Sequence, residues 1–183
     1  MIRTDRLLLR RWRDDDLDAF AALNADPVVM EHFPERLTRE QSARFLDKIR
    51  THFDQHGFGL WAVEVPDDAP FVGMVGLKTV NFDAAFAPAV EIGWRMAAAW
   101  WGQGLATEAA QGALRYGFTE AKLDEIVSFT ALLNRPSWRV MERLGMRRNP
   151  REDFDHPAVP EGHRLRRHML YRLHRTEWRA RQG

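Results

Sequence analysis

The chain contains no cysteine, which excludes disulfides, thiolate nucleophiles and cysteine-ligated zinc together. It has almost no excess charge, 27 Lys and Arg against 26 Asp and Glu for a formal net charge of +1. Net charge therefore gives no reason to invoke a nucleic acid or an acidic membrane surface. No apolar run is long enough to span a bilayer, and the opening Met1-Ile2-Arg3-Thr4-Asp5-Arg6 lacks the apolar stretch of a signal peptide. A cytoplasmic location and no membrane partner are the expectations. Neither a repeat nor a low-complexity linker interrupts the 183 residues, so a single domain over 1–183 is expected. What is present is 45% hydrophobic and 29% charged, the balance of a folded globular chain.

The order of elements follows from changes of period. Leu7-Leu8-Leu9-Arg10-Arg11-Trp12 has strand length. Asp14-Asp15-Asp16 then supplies cap-type acids to a helix that lines up Leu17, Phe20, Ala21 and, as its one polar member, Asn24. Thr38 and Gln41 have capping-box spacing; Phe45, Leu46, Ile49 and Phe53 form the apolar face of the helix they open, and His56-Gly57 ends it. Three strands follow as an antiparallel meander: 60–65, turned by Pro66-Asp67-Asp68; 71–80, with Gly73 and Gly76 permitting a bulge or a close backbone approach; and 89–96. Leu105, Ala109, Gly112, Ala113 and Tyr116 recur at helical spacing. A strand at 126–131 leads to a short helix with Pro136 in its first turn and Gly145 at its end. An irregular segment, 153–162, precedes a last strand near 166–173. This succession makes a mixed α/β domain of the α+β type.

Trp101-Gly102-Gln103-Gly104-Leu105-Ala106-Thr107 joins a strand to an amphipathic helix. Backbone N–H groups at a helix start, freed of side-chain bulk by two glycines, form a pocket for anionic oxygens. A tight strand-to-helix turn has the same spacing. The P-loop lysine and the full GxGxxG fingerprint are both absent.

The stretch resembles the pyrophosphate signature of GNAT acetyltransferases, (Gln/Arg)-x-x-Gly-x-(Gly/Ala), over Trp101 to Ala106. Trp101 stands at the usual Gln/Arg position, a departure similar to the ribosomal-protein N-terminal acetyltransferase (RimJ/RimL-like) branch. Asn134-Arg135-Pro136-Ser137 with the following Val140 to Met146, and Glu91-Ile92-Gly93-Trp94, resemble two further segments of that family, and the likeness runs from about Arg6 to Leu173. The resemblance implies a mixed, mostly antiparallel central sheet with flanking helices, in which a splayed strand pair takes the pantetheine of acetyl-CoA. It implies a transferase that moves acetyl from acetyl-CoA to a primary amine, a protein N-terminus or a small amine. It implies no metal.

Residue by residue, the resemblance assigns main-chain contacts with pantetheine to Trp94, Arg95 and Met96. It gives the pyrophosphate cradle to Trp101, Gly102, Gln103, Gly104, Leu105, Ala106 and Thr107, and a bond to the pantetheine amide to Asn134. Arg139 or Arg143 would approach the adenosine phosphates, or simply form a solvated helix face. An amine must be neutral to attack, so a proton acceptor is needed. Glu91 is the first candidate, against a structural ion pair with an arginine; His32, in Glu31-His32-Phe33-Pro34, is another. Many family members use a tyrosine four residues before the glycine matching Gly145; here that position is Met141. Ser137 is therefore the candidate for a thiolate-side hydrogen bond or proton relay, against a plain polar residue in a first helical turn. A catalytically weak acyl-CoA-binding regulatory module is the alternative function.

Trp61 and Phe82 are candidate walls of the acceptor pocket, and Asp153-Phe154-Asp155-His156-Pro157 a candidate binding loop. His156, His163 and His168 fit no standard zinc spacing. The C-terminal Arg164, Arg166, Arg167, Arg172, Arg175, Arg179 and Arg181 read either as a nucleic-acid patch or as the outer face of an edge strand and a frayed tail, the latter preferred. The sequence leaves monomer and homodimer both open.

Overall fold

The computed structural model describes residues 1–181. Its strands are β1 (Ile2–Arg3), β2 (Leu8–Arg10), β3 (Leu60–Val65), β4 (Ala69–Thr79), β5 (Val90–Met96), β6 (Glu125–Ala131), β7 (Arg147–Arg148), β8 (Phe154–Asp155) and β9 (Arg167–His174). The helices are α1 (Asp16–Ala25), α2 (Arg39–His56), α3 (Leu105–Thr119), α4 (Arg135–Arg143) and α5 (Arg175–Arg179). The strands form one sheet in the order β1-β2-β3-β4-β5-β6-β9-β7, with β8 also on β9. Every pairing is antiparallel except β5 with β6. This is the GNAT-type open α+β sheet that the resemblance implies.

Local chemistry accounts for most boundaries. Thr38 accepts from Gln41 N–H while the Gln41 side chain accepts from Thr38 N–H, so α2 begins with a complete capping box; Gly57, at φ 76°, ends it. Leu46, Ile49 and Phe53 are buried. On β4, a Cβ at Gly76 would lie 2.1 Å from the Gly59 carbonyl oxygen, so the glycine is there because two backbones meet.

The sheet separates two helix layers. Gly117 of α3 packs on Leu77 and Ile126, which places α3 on the face those residues share with Ile92, the register partner of Leu77. Alternation puts Glu91, Gly93 and Arg95 on the opposite face, where α1 and α2 lie: Arg95 bonds Asn24 of α1, and its guanidinium sits over Phe33 and Phe45.

Several expectations need correction. β1, β8 and α5 went unread, because elements of two to five residues carry too little periodicity. Asp15 caps α1 without a side-chain bond, and Asp16 is not a cap but a buried ion-pair partner. The tail is not frayed through α5, since Trp178 packs on Phe118 at 5.3 Å. The C-terminal arginines are largely spent internally. Arg172 pairs with Glu125 and Glu152, Arg175 with Asp124, Arg166 and Arg167 with Asp155, and Arg164 donates to the Glu31 carbonyl. Trp61, 2% exposed between Phe53 and Tyr116, is core and not a pocket wall.

Arg10 ties β2 to α1 and β3. It is 4% exposed, donates to both Asp16 oxygens at 2.7 and 2.8 Å, to Glu64 at 2.7 Å and to the Pro70 carbonyl at 2.6 Å. Removing one partner of a buried pair strands the other charge, at a cost of about 3–5 kcal/mol. Asp16→Ala should therefore lower unfolding stability by about that amount in urea titration, whereas an unchanged midpoint would mean Glu64 alone suffices for Arg10.

Candidate active site

The chemistry is organised by the place where β5 and β6 part. β4 and β5 stay in register over seven residue pairs, from Gly73↔Met96 to Thr79↔Val90, but β5 meets β6 at the single pair Glu91↔Val127. Ser128, buried, donates to the Ile92 carbonyl at 2.9 Å and pins the strands at the point of divergence. Beyond it, the edge of β5 is open. Leu77 N–H bonds Gly59 while Val80 N–H and the Val72 carbonyl bond the β5 side, so Met74, Gly76 and Lys78 turn their main chains to Arg95, Gly93 and Glu91. Trp94 N–H and C=O consequently face the gap, whereas those of Arg95 are directed at β4. The Met96 carbonyl accepts from the Trp101 indole at 2.8 Å. Of the three residues expected to offer main-chain groups, Trp94 is thus the one left with both available.

That indole bond gives Trp101 a physical role at the Gln/Arg position, anchoring the glycine turn to the end of β5. Gly102 and Gly104 adopt φ of 77° and 79°, conformations costly for other residues, and no atom lies within 4 Å of a Cβ placed on Gly102. Gly104 caps α3 without a side chain, and the first-turn N–H groups of Leu105, Ala106 and Thr107 precede the first intrahelical bond, Glu108 N–H to Gly104. Gln103 is exposed. Arg6 braces the turn from outside, donating to the Gln103 carbonyl at 3.0 Å and to Glu108 at 2.7 Å; Thr4 adds a 2.6 Å bond to Glu108. These partners are about a hundred residues apart, and nothing local in the sequence announces them.

Asn134 caps α4. Its Oδ1 accepts from Ser137 N–H at 3.3 Å and its Nδ2 donates to Thr130 at 2.9 Å, leaving one lone pair and one proton. Ser137 is half-buried in the first turn, Arg139 and Arg143 are exposed, and Met141, at the family's tyrosine position, is 1% exposed in the core.

On the α1–α2 face, Glu91 is 8% exposed, with Lys78 Nζ 3.2 Å from its Oε2 but off the line a hydrogen bond requires. Burial pushes the Glu91 carboxyl up, and Lys78 partly opposes it. The partner is thus a lysine on the neighbouring strand and not an arginine. Lys78, the one charged residue of β4, was overlooked in the sequence; a lone charge in an apolar strand is a signal. Next to Glu91, Gly93 leaves open space: a Cβ there would meet only Glu91 Oε1, at 3.8 Å. His32 lies in the segment between α1 and α2, its Nδ1 buried without a partner and its Nε2 3.9 Å from Glu31.

Val127 shares this face, and beyond it Phe82, Phe86, Phe129 and Phe154 pack with His156 and His168, whose rings lie 4.9 Å apart. Phe154 of β8 and His156 thus belong to an aromatic cluster with Phe82 and Phe129. Burial, then His168 and Lys78, lower His156 to about 4, so it is neutral near pH 7. His163 is elsewhere, accepting from Leu165 N–H. Among the described residues no group of three or more His, Cys, Asp or Glu converges as a metal site.

A parallel strand pair that opens beside a glycine turn, with a buried carboxylate on the opposite face, is the arrangement that the resemblance implies for an acyl-coenzyme A-dependent transferase. Comparison with known proteins agrees. Residues 6–147 match the acetyltransferase (GNAT) domain family. The N-acetyltransferase YnaD of Bacillus subtilis is 31% identical over 97% of this chain and 98% of its own. A GNAT-family acetyltransferase structure from Bacillus anthracis superposes with a TM-score of 0.79 at 30% identity, covering 96% of this chain and 99% of that one. RimJ of Mycobacterium smegmatis, in complex with CoA-disulfide, shares the fold at a TM-score of 0.75 and 23% identity, over 93% and 83% of the two chains. The chain belongs to the GNAT acetyltransferase family, whose acetyl donor is acetyl-CoA.

A side chain at Gly104 would force the left-handed turn into strain of about 1–3 kcal/mol. Gly104→Ala should raise KM for acetyl-CoA several-fold with a smaller change in kcat; an unchanged KM would show that the turn does not hold the donor.

Proposed function

We propose that this enzyme acetylates a primary amine by direct attack on the acetyl thioester, with Glu91 taking the amine proton. The observation that carries this reading is the buried carboxylate of Glu91 beside open space at Gly93, at the mouth of the β5–β6 gap. The amine nitrogen forms the new C–N bond, the C–S bond breaks, and the proton shed by nitrogen passes to Glu91. Trp94 N–H, facing the gap, is the donor for the oxyanion. The Ser137 hydroxyl has too high a pKa to be a strong acid and serves the departing sulfur as a hydrogen-bond donor or relay. His32 is the second proton acceptor considered, on account of its unpartnered Nδ1.

For the donor, Gly102 to Thr107 would receive the pyrophosphate, the Trp94 main chain the pantetheine, and the spare capacity of Asn134 its amide. Arg139, being exposed, adds at most a screened contact to the adenosine phosphates. For the acceptor, the resemblance to the ribosomal-protein branch supports a peptide N-terminus as one class.

Glu91 works only when ionised. Because burial raises its pKa, activity should climb with pH along a limb lying above the ordinary carboxylate range, and Lys78→Met should move that limb higher. Glu91→Gln should lower kcat by about a hundredfold or more and abolish the limb. Stability should move the other way. A carboxyl raised by folding contributes its stability below the unfolded value and loses it as pH rises through the folded one. Glu91→Gln should thus be no less stable at pH 8 by thermal denaturation. Thiol release from acetyl-CoA across peptides, polyamines and amino acids reads the rates. Release insensitive to Glu91→Gln would transfer the role to His32, tested by His32→Asn. Tight CoA binding with no release would favour the regulatory module.

A further inference from the structure

The molecule holds two buried arginines and treats them differently. Arg10 is neutralised by Asp16 and Glu64. Arg95, 8% exposed on the site's own face, has no carboxylate within ion-pair reach among the described residues. Its Nη1 donates to the neutral amide oxygen of Asn24, which is itself held by Ser42, and its Nε is buried with no acceptor. Phe33 covers one face of the guanidinium at 4.2 Å. That leaves the Nε edge, the side-on fork that receives a carboxylate in two hydrogen bonds. Burial without a counter-charge lowers even this guanidinium to about 10. A cation kept dry, stacked and unneutralised is costly to stability, and an anion at its unpaired Nε would relieve that cost.

Arg95 follows Gly93, and Gly93 follows Glu91, on one face of one strand. Gly93, with no side chain of its own, thus stands between a carboxylate that can meet an amine and an arginine that lacks an anion. Lys78 already offsets Glu91, so the three residues Lys78, Glu91 and Arg95 together carry one excess positive charge.

We infer that the acceptor is an amine bearing a carboxylate, laid across Gly93 with its nitrogen toward Glu91 and its carboxylate on the Nε edge of Arg95. The inference rests on Glu91 facing the acceptor amine and specifies the rest of that substrate. The chemistry fits a free amino acid or a peptide N-terminus with an acidic residue near its start.

The test pairs each acid with its amide. Wild type and Arg95→Met are given α-, β- and γ-amino acids, the same compounds as carboxamides, and peptides with an acidic or an amidated residue in the first three positions. Thiol release gives kcat/KM, and calorimetry on the CoA-saturated protein gives binding independently of turnover. Wild type should prefer at least one acid over its amide by about tenfold or more, as a charge-assisted pair implies. Arg95→Met should bring that acid down to the level of its amide and change KM more than kcat. Preference among free amino acids or among acidic peptides tells the two sources apart. Equal kcat/KM for acid and amide in wild type, with release still dependent on Glu91, would overturn the inference and leave the proposed reaction standing. If no compound is turned over, acid binding by wild type and not by Arg95→Met would still support it, and no binding of any acid would end it.

Discussion

Everything that makes this sheet an active site depends on where β5 and β6 cease to pair. A parallel strand with β4 on one edge would ordinarily fill its other edge, since unpaired main-chain groups within a protein are expensive. Here a single register pair, Glu91 with Val127, is followed by divergence, and Ser128 supplies from its side chain the bond the ladder withholds from Ile92. Seven register pairs with β4 keep β5 straight while its other edge opens. The Trp101 indole closes the far end by taking the Met96 carbonyl, so what stays open at its centre is the Trp94 amide plane.

Alternation along β5 then divides the labour between the faces. Ile92 looks toward α3, whose amino end carries the glycine turn and its free N–H groups. Glu91, Gly93 and Arg95 look toward α1 and α2. A donor with phosphates and an acceptor with an amine can thus approach one strand from different sides and meet at its edge. Neither substrate needs to cross the other's path. The charges follow the same division, with the unpaired first-turn amides of α3 on one side and a carboxylate, a lysine and an unneutralised arginine on the other.

Much of this was legible in the sequence. The α2 capping box, the meander, the glycine turn and the proline and glycine of α4 are local features, and each occurs where its period or cap placed it. Glu91 and Gly93 could be put on one face by counting alone. The ties across the chain were not legible: Arg6 with Glu108, Arg10 with Glu64, Asn24 with Arg95. These partners are brought together by topology, and no period within one element encodes them. Asn24 shows the limit well. It broke the apolar face of α1, and that polar exception was visible; its reason, a buried guanidinium on β5, was not.

The contrast between Arg10 and Arg95 bears on how the site was built. Where an arginine serves stability alone, as Arg10 does, two carboxylates saturate it and its pKa is driven up. Arg95 is as buried, yet it is left with an amide and a ring, and its pKa falls. Glu91 bears the same mark, a buried carboxyl raised by desolvation with only an off-axis lysine to hold it. Both groups cost stability through burial, and both stand on one sheet face on either side of Gly93. Folding alone would favour pairing them with each other or replacing them with apolar residues. Their spacing, four residues along one extended strand, prevents the first, and a substrate with charges complementary to both explains why the second has not happened.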